Sequence, residues 1–141
     1  MADPAPLQLL AEDADDLAVI SAALQDAVAK VGDISFEANA RRLTIAFNRF
    51  RWEADRKQRV RSALQLGGVL NVQARKVRRD RKDAVVELLA LSFAPGEAPG
   101  GVVTFSFAGG GDLRAQVECV DAVLADLSQP WPTPRTPAHK L

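Results

Sequence analysis

Arginine is the side chain whose number and spacing carry most of the chemistry open to this chain. Residues 41–82 hold fourteen bases and three acids, a local charge of +11, and most of those bases are arginine. A guanidinium forks onto a carboxylate or phosphate through two parallel hydrogen bonds, so a block of this kind suits an acidic partner or a phosphate backbone. Arg49, Arg51, Arg59 and Arg61 are the candidate partner-binding residues. The flanking segments carry the opposite sign, with eight acids and one base over residues 1–40 and seven acids and three bases over 83–141, so the formal net charge is zero. Two arrangements satisfy this segregation. In one, the acidic N-terminal segment lies beside the basic strands and the charges compensate within the fold; in the other, the basic face binds an acidic protein or a second copy of the chain. The rings in Phe47-Asn-Arg-Phe-Arg-Trp-Glu53 are the basis of a nucleic-acid alternative, because bases stack on exposed rings flanked by arginine. Aromatic residues at strand positions are more often core, which counts against it.

The repertoire for covalent and acid–base chemistry is thin. The chain has one His and no Tyr, and His139 stands in a proline-rich tail. Cys119 follows Glu118 at the passage from a strand into an expected helix, where a helix N-terminus lowers a thiol's pKa; with no second Cys it reads as a small buried filler. Glu37, Glu53, Glu87 and Glu118 have no spacing that would pair them for acid–base work, and each is expected to be solvated or matched to arginine. Gly109-Gly110-Gly111-Asp112 lacks the Lys-Ser/Thr and the helix of a phosphate loop, so it reads as a hairpin turn. No catalytic residue, metal-ligand set or cofactor is assigned. An enzyme would have to work with carboxylates, arginine and Cys119, and a small-ligand binding protein is the other alternative.

These residues must be positioned by one domain. A chain of 141 residues, 48% hydrophobic, buries an ordinary core without metal or disulfide staples. The lone cysteine and the acidic, weakly apolar start, which has none of the features of an export signal, are expected of a cytoplasmic protein. The longest apolar run, Ala84 to Phe93, is about half the ~20 residues a membrane helix needs.

Apolar residues at Leu17, Ile20, Leu24, Val28 and Val31 recur every three or four positions and predict an amphipathic helix from Asp13 to Val31, ended by Gly32. The period then changes to two: Ile34, Phe36 and Ala38, a turn near Asn39, then Leu43, Ile45 and Phe47, which is a hairpin. Phe50 and Trp52 fall on the opposite parity, so either a bulge near Asn48 and Arg49 resets the faces or the strand is covered on both sides at its end. Further strands are expected around Val60–Leu66, Val69–Val77, Ala84–Phe93, Val102–Phe107 and Leu113–Glu118. Val120, Val123, Leu124 and Leu127 predict a short closing helix. The expectation is an α+β fold: an N-terminal helix, an antiparallel meander of about seven strands and a C-terminal helix over residues 1–128, the element order of a pleckstrin-homology-like roll apart from the extra first helix. Residues 129–141 hold four prolines and are expected to form an extended tail pinned by Trp131.

Four segments together carry a resemblance: DDLAVISAALQDAV at Asp15–Val28, FNRFRWE at Phe47–Glu53, FAGGGDL at Phe107–Leu113 and VECVDA at Val117–Ala122. With them the chain resembles a small, mostly alphaproteobacterial family known as domain of unknown function 2948. The resemblance implies a bacterial cytoplasmic protein and supplies no catalytic or binding residues.

Overall fold

A computed structural model describes residues 5–137, and His139 lies outside them. The chain forms β1 (Gln8–Ala11), α1 (Ala14–Ala23), β2 (Val28–Lys30), a 3-10 turn (Val31–Asp33), β3 (Ile34–Glu37), β4 (Arg42–Phe50) and β5 (Gln58–Leu66). There follow β6 (Val69–Arg75), β7 (Val85–Pro95), β8 (Gly101–Phe107), β9 (Asp112–Val117), β10 (Ala122–Asp126) and β11 (Trp131–Pro132). All strand pairs are antiparallel, in the order β1-β10-β5-β4-β2-β7-β8-β9-β6, with β3 on β4 and β11 on β5. This corrects the expected α+β fold: the architecture is mostly β, and no helix closes it at the C-terminal side. The pleckstrin-homology-like roll falls with that helix.

Ala122–Asp126 is a strand because it lies between two others, with Leu124 opposite both Leu64 of β5 and Leu9 of β1. Pairing on both edges imposes period two, so Ala122 and Leu124 point inward and Val123 outward, while Leu127 is exposed. The first helix is shorter than its apolar spacing suggests. Asp13 caps it by accepting from the Asp16 N–H at 2.7 Å, and Asp15 and Asp16 occupy the first turn. It stops at Ala23; Asp26 takes a left-handed conformation (φ 62°), and Val28–Lys30 then join the sheet between β4 and β7.

Those three residues link two halves of the sheet. Val28 pairs with Asn48 of β4 on one side and with Glu87 of β7 on the other. The sheet curls around one core that includes Leu43, Ile45, Phe47, Leu64, Leu66, Leu88, Phe105 and Leu124, all essentially inaccessible. Helix α1 packs against both β1 and β7, spanning the opening between these strands with Leu17, Ile20 and Leu24. Ser21 Oγ anchors it by accepting from the Leu91 N–H at 2.9 Å.

The β4–β5 register runs unbroken from Leu43↔Leu66 to Phe50↔Arg59, so no bulge resets the faces; the end of β4 is covered on both sides. Phe47 and Arg49 continue the inward row while Phe50 is buried on the other face against Trp52, with ring centroids 4.7 Å apart. The glycine run forms the β8–β9 turn, with Gly109 and Gly110 at φ 89° and 97° and the Phe107 N–H donating to Gly111 O at 2.9 Å. Part of the proline-rich tail takes a sheet position: Trp131 pairs with Arg59 at the edge of β5.

Candidate functional site

The inward row of the first half-sheet ends in charge. Phe47, Ser62 and Asp126 stand opposite one another across β4, β5 and β10, and Arg49 is the next inward position on β4. Arg49 is wholly buried. Its guanidinium donates to both oxygens of Asp126 (3.0 Å each) and to both oxygens of Glu53 (2.9 and 2.7 Å). It also donates to Ser62 Oγ (3.1 Å) and the Phe50 carbonyl (3.3 Å). Asp126 in turn accepts from Ser62 Oγ at 2.6 Å and from the Leu7 N–H at 2.8 Å. Burial alone would lift the Asp126 carboxyl, but the hydrogen bonds from Arg49, Ser62 and Leu7 overcome it and hold the group below the usual range; burial and Arg49 act on Glu53 in the same opposed way with the same result. On Arg49 burial works downward and the two carboxylates prevail, raising its pKa. This is an ionised, fully bonded cluster that ties β4, β5 and β10 together and reaches Leu7, the residue before β1. A cavity of about 130 Å³ lies beside it, bordered by Arg51, Val60, Asp126 and Pro130.

The four arginines singled out by sequence do not form one face. Arg51, also buried, donates to Gln58 Oε1 at 2.5 Å across the β4–β5 turn. Arg59 and Arg61 project from the opposite side of β5, where Arg59 donates to the Asn48 carbonyl (3.1 Å) and Arg61 to Asn48 Oδ1 (3.2 Å) and Asp33 Oδ2 (3.0 Å). Sequence reasoning reached Arg49 as a surface residue; the parity of Leu43, Ile45, Phe47 and Arg49 was the available signal that it faces inward.

The remainder of the basic block divides cleanly. Arg41 pairs with Glu118, Arg42 with Glu37, Arg75 with Asp112 and Arg78 with Asp80. None of the ion pairs among the described residues joins an acid of α1 to the basic block, so the helix does not neutralise the strands; Asp33, Glu37, Asp112, Glu118 and Asp126 do so in part. Among the described residues, Arg56 and Lys57 between β4 and β5, and Lys76, Arg79, Arg81 and Lys82 between β6 and β7, have no carboxylate within ion-pair distance. Arg79 of the second group borders two grooves, and Lys82 borders one of them. One, of about 350 Å³, is lined by residues that include Val31, Ile34, Ala74, Val77, Arg79 and Lys82, and the other, of about 440 Å³, by residues that include Val72, Gln73, Arg75, Arg79, Asp112 and Arg114. The β6–β7 loop thus holds four of these six exposed bases of the +11 block, Arg56 and Lys57 being the other two, and sequence reasoning took it only for a charged connection.

The candidate chemistry narrows accordingly. Cys119 is half-buried in the turn before β10, and the expected helix does not begin there. Glu37, Glu53 and Glu118 each face an arginine rather than another carboxylate. Among the described residues no three His, Cys, Asp or Glu side chains gather as metal ligands, and no helix is long and apolar enough to cross a membrane.

A family model described as "Protein of unknown function (DUF2948)" matches residues 7–139. The chain belongs to that family. Every element described above, from β1 to β11, falls inside the span that the DUF2948 model matches. No curated protein and no solved structure matches the chain.

Proposed function

We propose that this DUF2948 protein is a non-enzymatic interaction module that binds an acidic protein partner through its β6–β7 loop. The observation that supports this reading is the division of the basic block. Arg41, Arg42, Arg49, Arg61, Arg75 and Arg78 each face a carboxylate of the chain, whereas Lys76, Arg79, Arg81 and Lys82 gather in one short loop, and neither Asp80 nor Asp83 of that loop forms an ion pair with them. Like charges held together at a surface repel one another and attract an opposite charge from solution, which raises association rate and favours acidic partners. Partner binding therefore moves from the four arginines of the sequence reading to this loop, with Arg59 and Arg61 on a separate face. Nucleic acid fits the same charge less well, because the rings of the Phe47–Glu53 segment on which that alternative rested are mostly core: Phe47 and Phe50 are buried and only Trp52 of the three is half-exposed.

The test compares wild type with the triple variant Arg79→Glu, Arg81→Glu, Lys82→Glu in a tagged pull-down from bacterial lysate after nuclease treatment. Proteins retained at low salt, released at high salt and lost from the variant are the expected result. Retention of the same proteins by the variant, or of nuclease-sensitive material alone, overturns the proposal.

A further inference from the structure

Strand β3 hydrogen-bonds β4 on one edge, and β6 hydrogen-bonds β9 on one edge. Their other edges face each other across the 350 Å³ groove, which both strands line through Ile34, Ser35 and Ala74. The opening is pinned at both ends. At one, the Val69 N–H donates to the Arg41 carbonyl (2.9 Å), and at the other the Gly32 N–H donates to the Lys82 carbonyl (2.8 Å). These pins make β3 and β6 antiparallel, yet between them no backbone hydrogen bond joins the two strands. The opposite opening of the sheet, between β1 and β7, is spanned by α1; no described segment spans this one.

We infer that the opening between β3 and β6 takes an extended acidic peptide segment, which adds to β6 as a further antiparallel strand. This rests on the proposed binding of an acidic partner and names how that partner is held. Three observations support it. Backbone groups along one edge of the seven-residue β6 have no strand to pair with, which is the requirement for strand addition. The floor is apolar, since Ile34, Ala74 and Val77 pack on the core while staying partly exposed, so alternate side chains of the guest find an apolar seat. The rim is basic: residues 75–83 hold six bases and two acids, and Arg79 and Lys82 reach the groove itself. A segment alternating apolar and acidic residues satisfies edge, floor and rim together.

The probe is a heptapeptide of alternating valine and glutamate, blocked at both ends and labelled for fluorescence anisotropy. Binding to the full chain is expected, with slowed hydrogen exchange at the amides of Val72–Arg75. Methylating alternate backbone nitrogens of the peptide, which keeps its charge but removes strand pairing, should weaken binding roughly tenfold or more. Ala74→Trp, which fills the groove, should do the same. Equal binding of the plain and methylated peptides, weakened alike by the Arg79→Glu, Arg81→Glu, Lys82→Glu variant, would show docking by charge alone; that overturns strand addition and leaves the interaction reading standing. If neither peptide binds, strand addition is likewise overturned, and the lysate experiment judges the broader reading by itself.

Discussion

Replacing Asp126 by Asn tests the buried cluster with almost no change of volume. Asp126 accepts four hydrogen bonds, two on Oδ1 from Arg49 Nε and Ser62 Oγ, and two on Oδ2 from Arg49 Nη2 and the Leu7 N–H. Whichever way an Asn amide is turned, its NH₂ meets a guanidinium N–H at about 3.0 Å, so one attraction becomes a donor–donor conflict. Arg49 has no access to solvent and the Asp126 side chain only 3%, so water cannot replace the lost charge. Removing one member of a buried ion pair costs about 3–5 kcal/mol; because Glu53 keeps its two bonds to Arg49, the expected loss is near ~3 kcal/mol. For a chain of this size that lowers Tm by roughly 10 °C. Urea unfolding followed by the fluorescence of Trp52 and Trp131 measures it, with the midpoint falling and the slope unchanged. Replacing Arg49 by Met, Ser62 by Ala and Asp126 by Leu together should cost less than Asp126→Asn alone, because the one charge left without its partner, Glu53, keeps access to solvent. A loss below about 1 kcal/mol in Asp126→Asn would refute the claim that Arg49 depends on this carboxylate.

The same cluster sets a pH dependence. Asp126 and Glu53 titrate below their ordinary values in the folded chain, so as pH falls the unfolded chain takes up protons first. Stability should be complete above about pH 5 and decline as pH drops through about 4 toward the folded values, and Asp126→Asn should flatten this decline in acid-unfolding curves. Gly101→Ala would set its Cβ against the Ala94 carbonyl and 2.7 Å from the Phe93 ring within the β7–β8 hairpin, and should cost about 2 kcal/mol in thermal unfolding. The Arg79→Glu, Arg81→Glu, Lys82→Glu variant alters exposed side chains only, so its Tm should stay within a few degrees of wild type while binding is lost.

Strands β3 to β9 were legible because each carries its own alternation or its own turn. Leu43, Ile45 and Phe47 mark the inward row of β4, and the three glycines before Asp112 demand a turn wherever they occur. What was lost depends on distant partners. Val120, Val123, Leu124 and Leu127 fit a helical stripe over eight residues, a length at which the periods of helix and strand cannot be separated. Pairing of Leu124 with Leu64 and Leu9 decides the matter, and both partners lie far away in sequence. Val28 likewise satisfied the helical spacing of Leu17, Ile20 and Leu24, but its contacts with Asn48 and Glu87 draw it into the sheet. Glu53 is expected from sequence to be solvated or matched to some arginine without Arg49 being singled out, and Asp126, 77 residues on from Arg49, is not marked there as its partner. The basic block could be counted from sequence; which of its charges are spent inside the fold could not.

The pairing of β1 with β10 has a consequence for how the chain is made. Leu7 is bound to a carboxylate 119 residues further along, and β1 pairs with β10 alone. During translation β1 must therefore wait, without its partner, while more than a hundred residues leave the ribosome, and β5 waits for its second neighbour as well. Arg49 meanwhile has Glu53 within reach but not Asp126. The half-sheet that holds the charged cluster can be completed only after β10 has emerged, so folding of this half is a late event in which its first strand meets one made near the end of the chain.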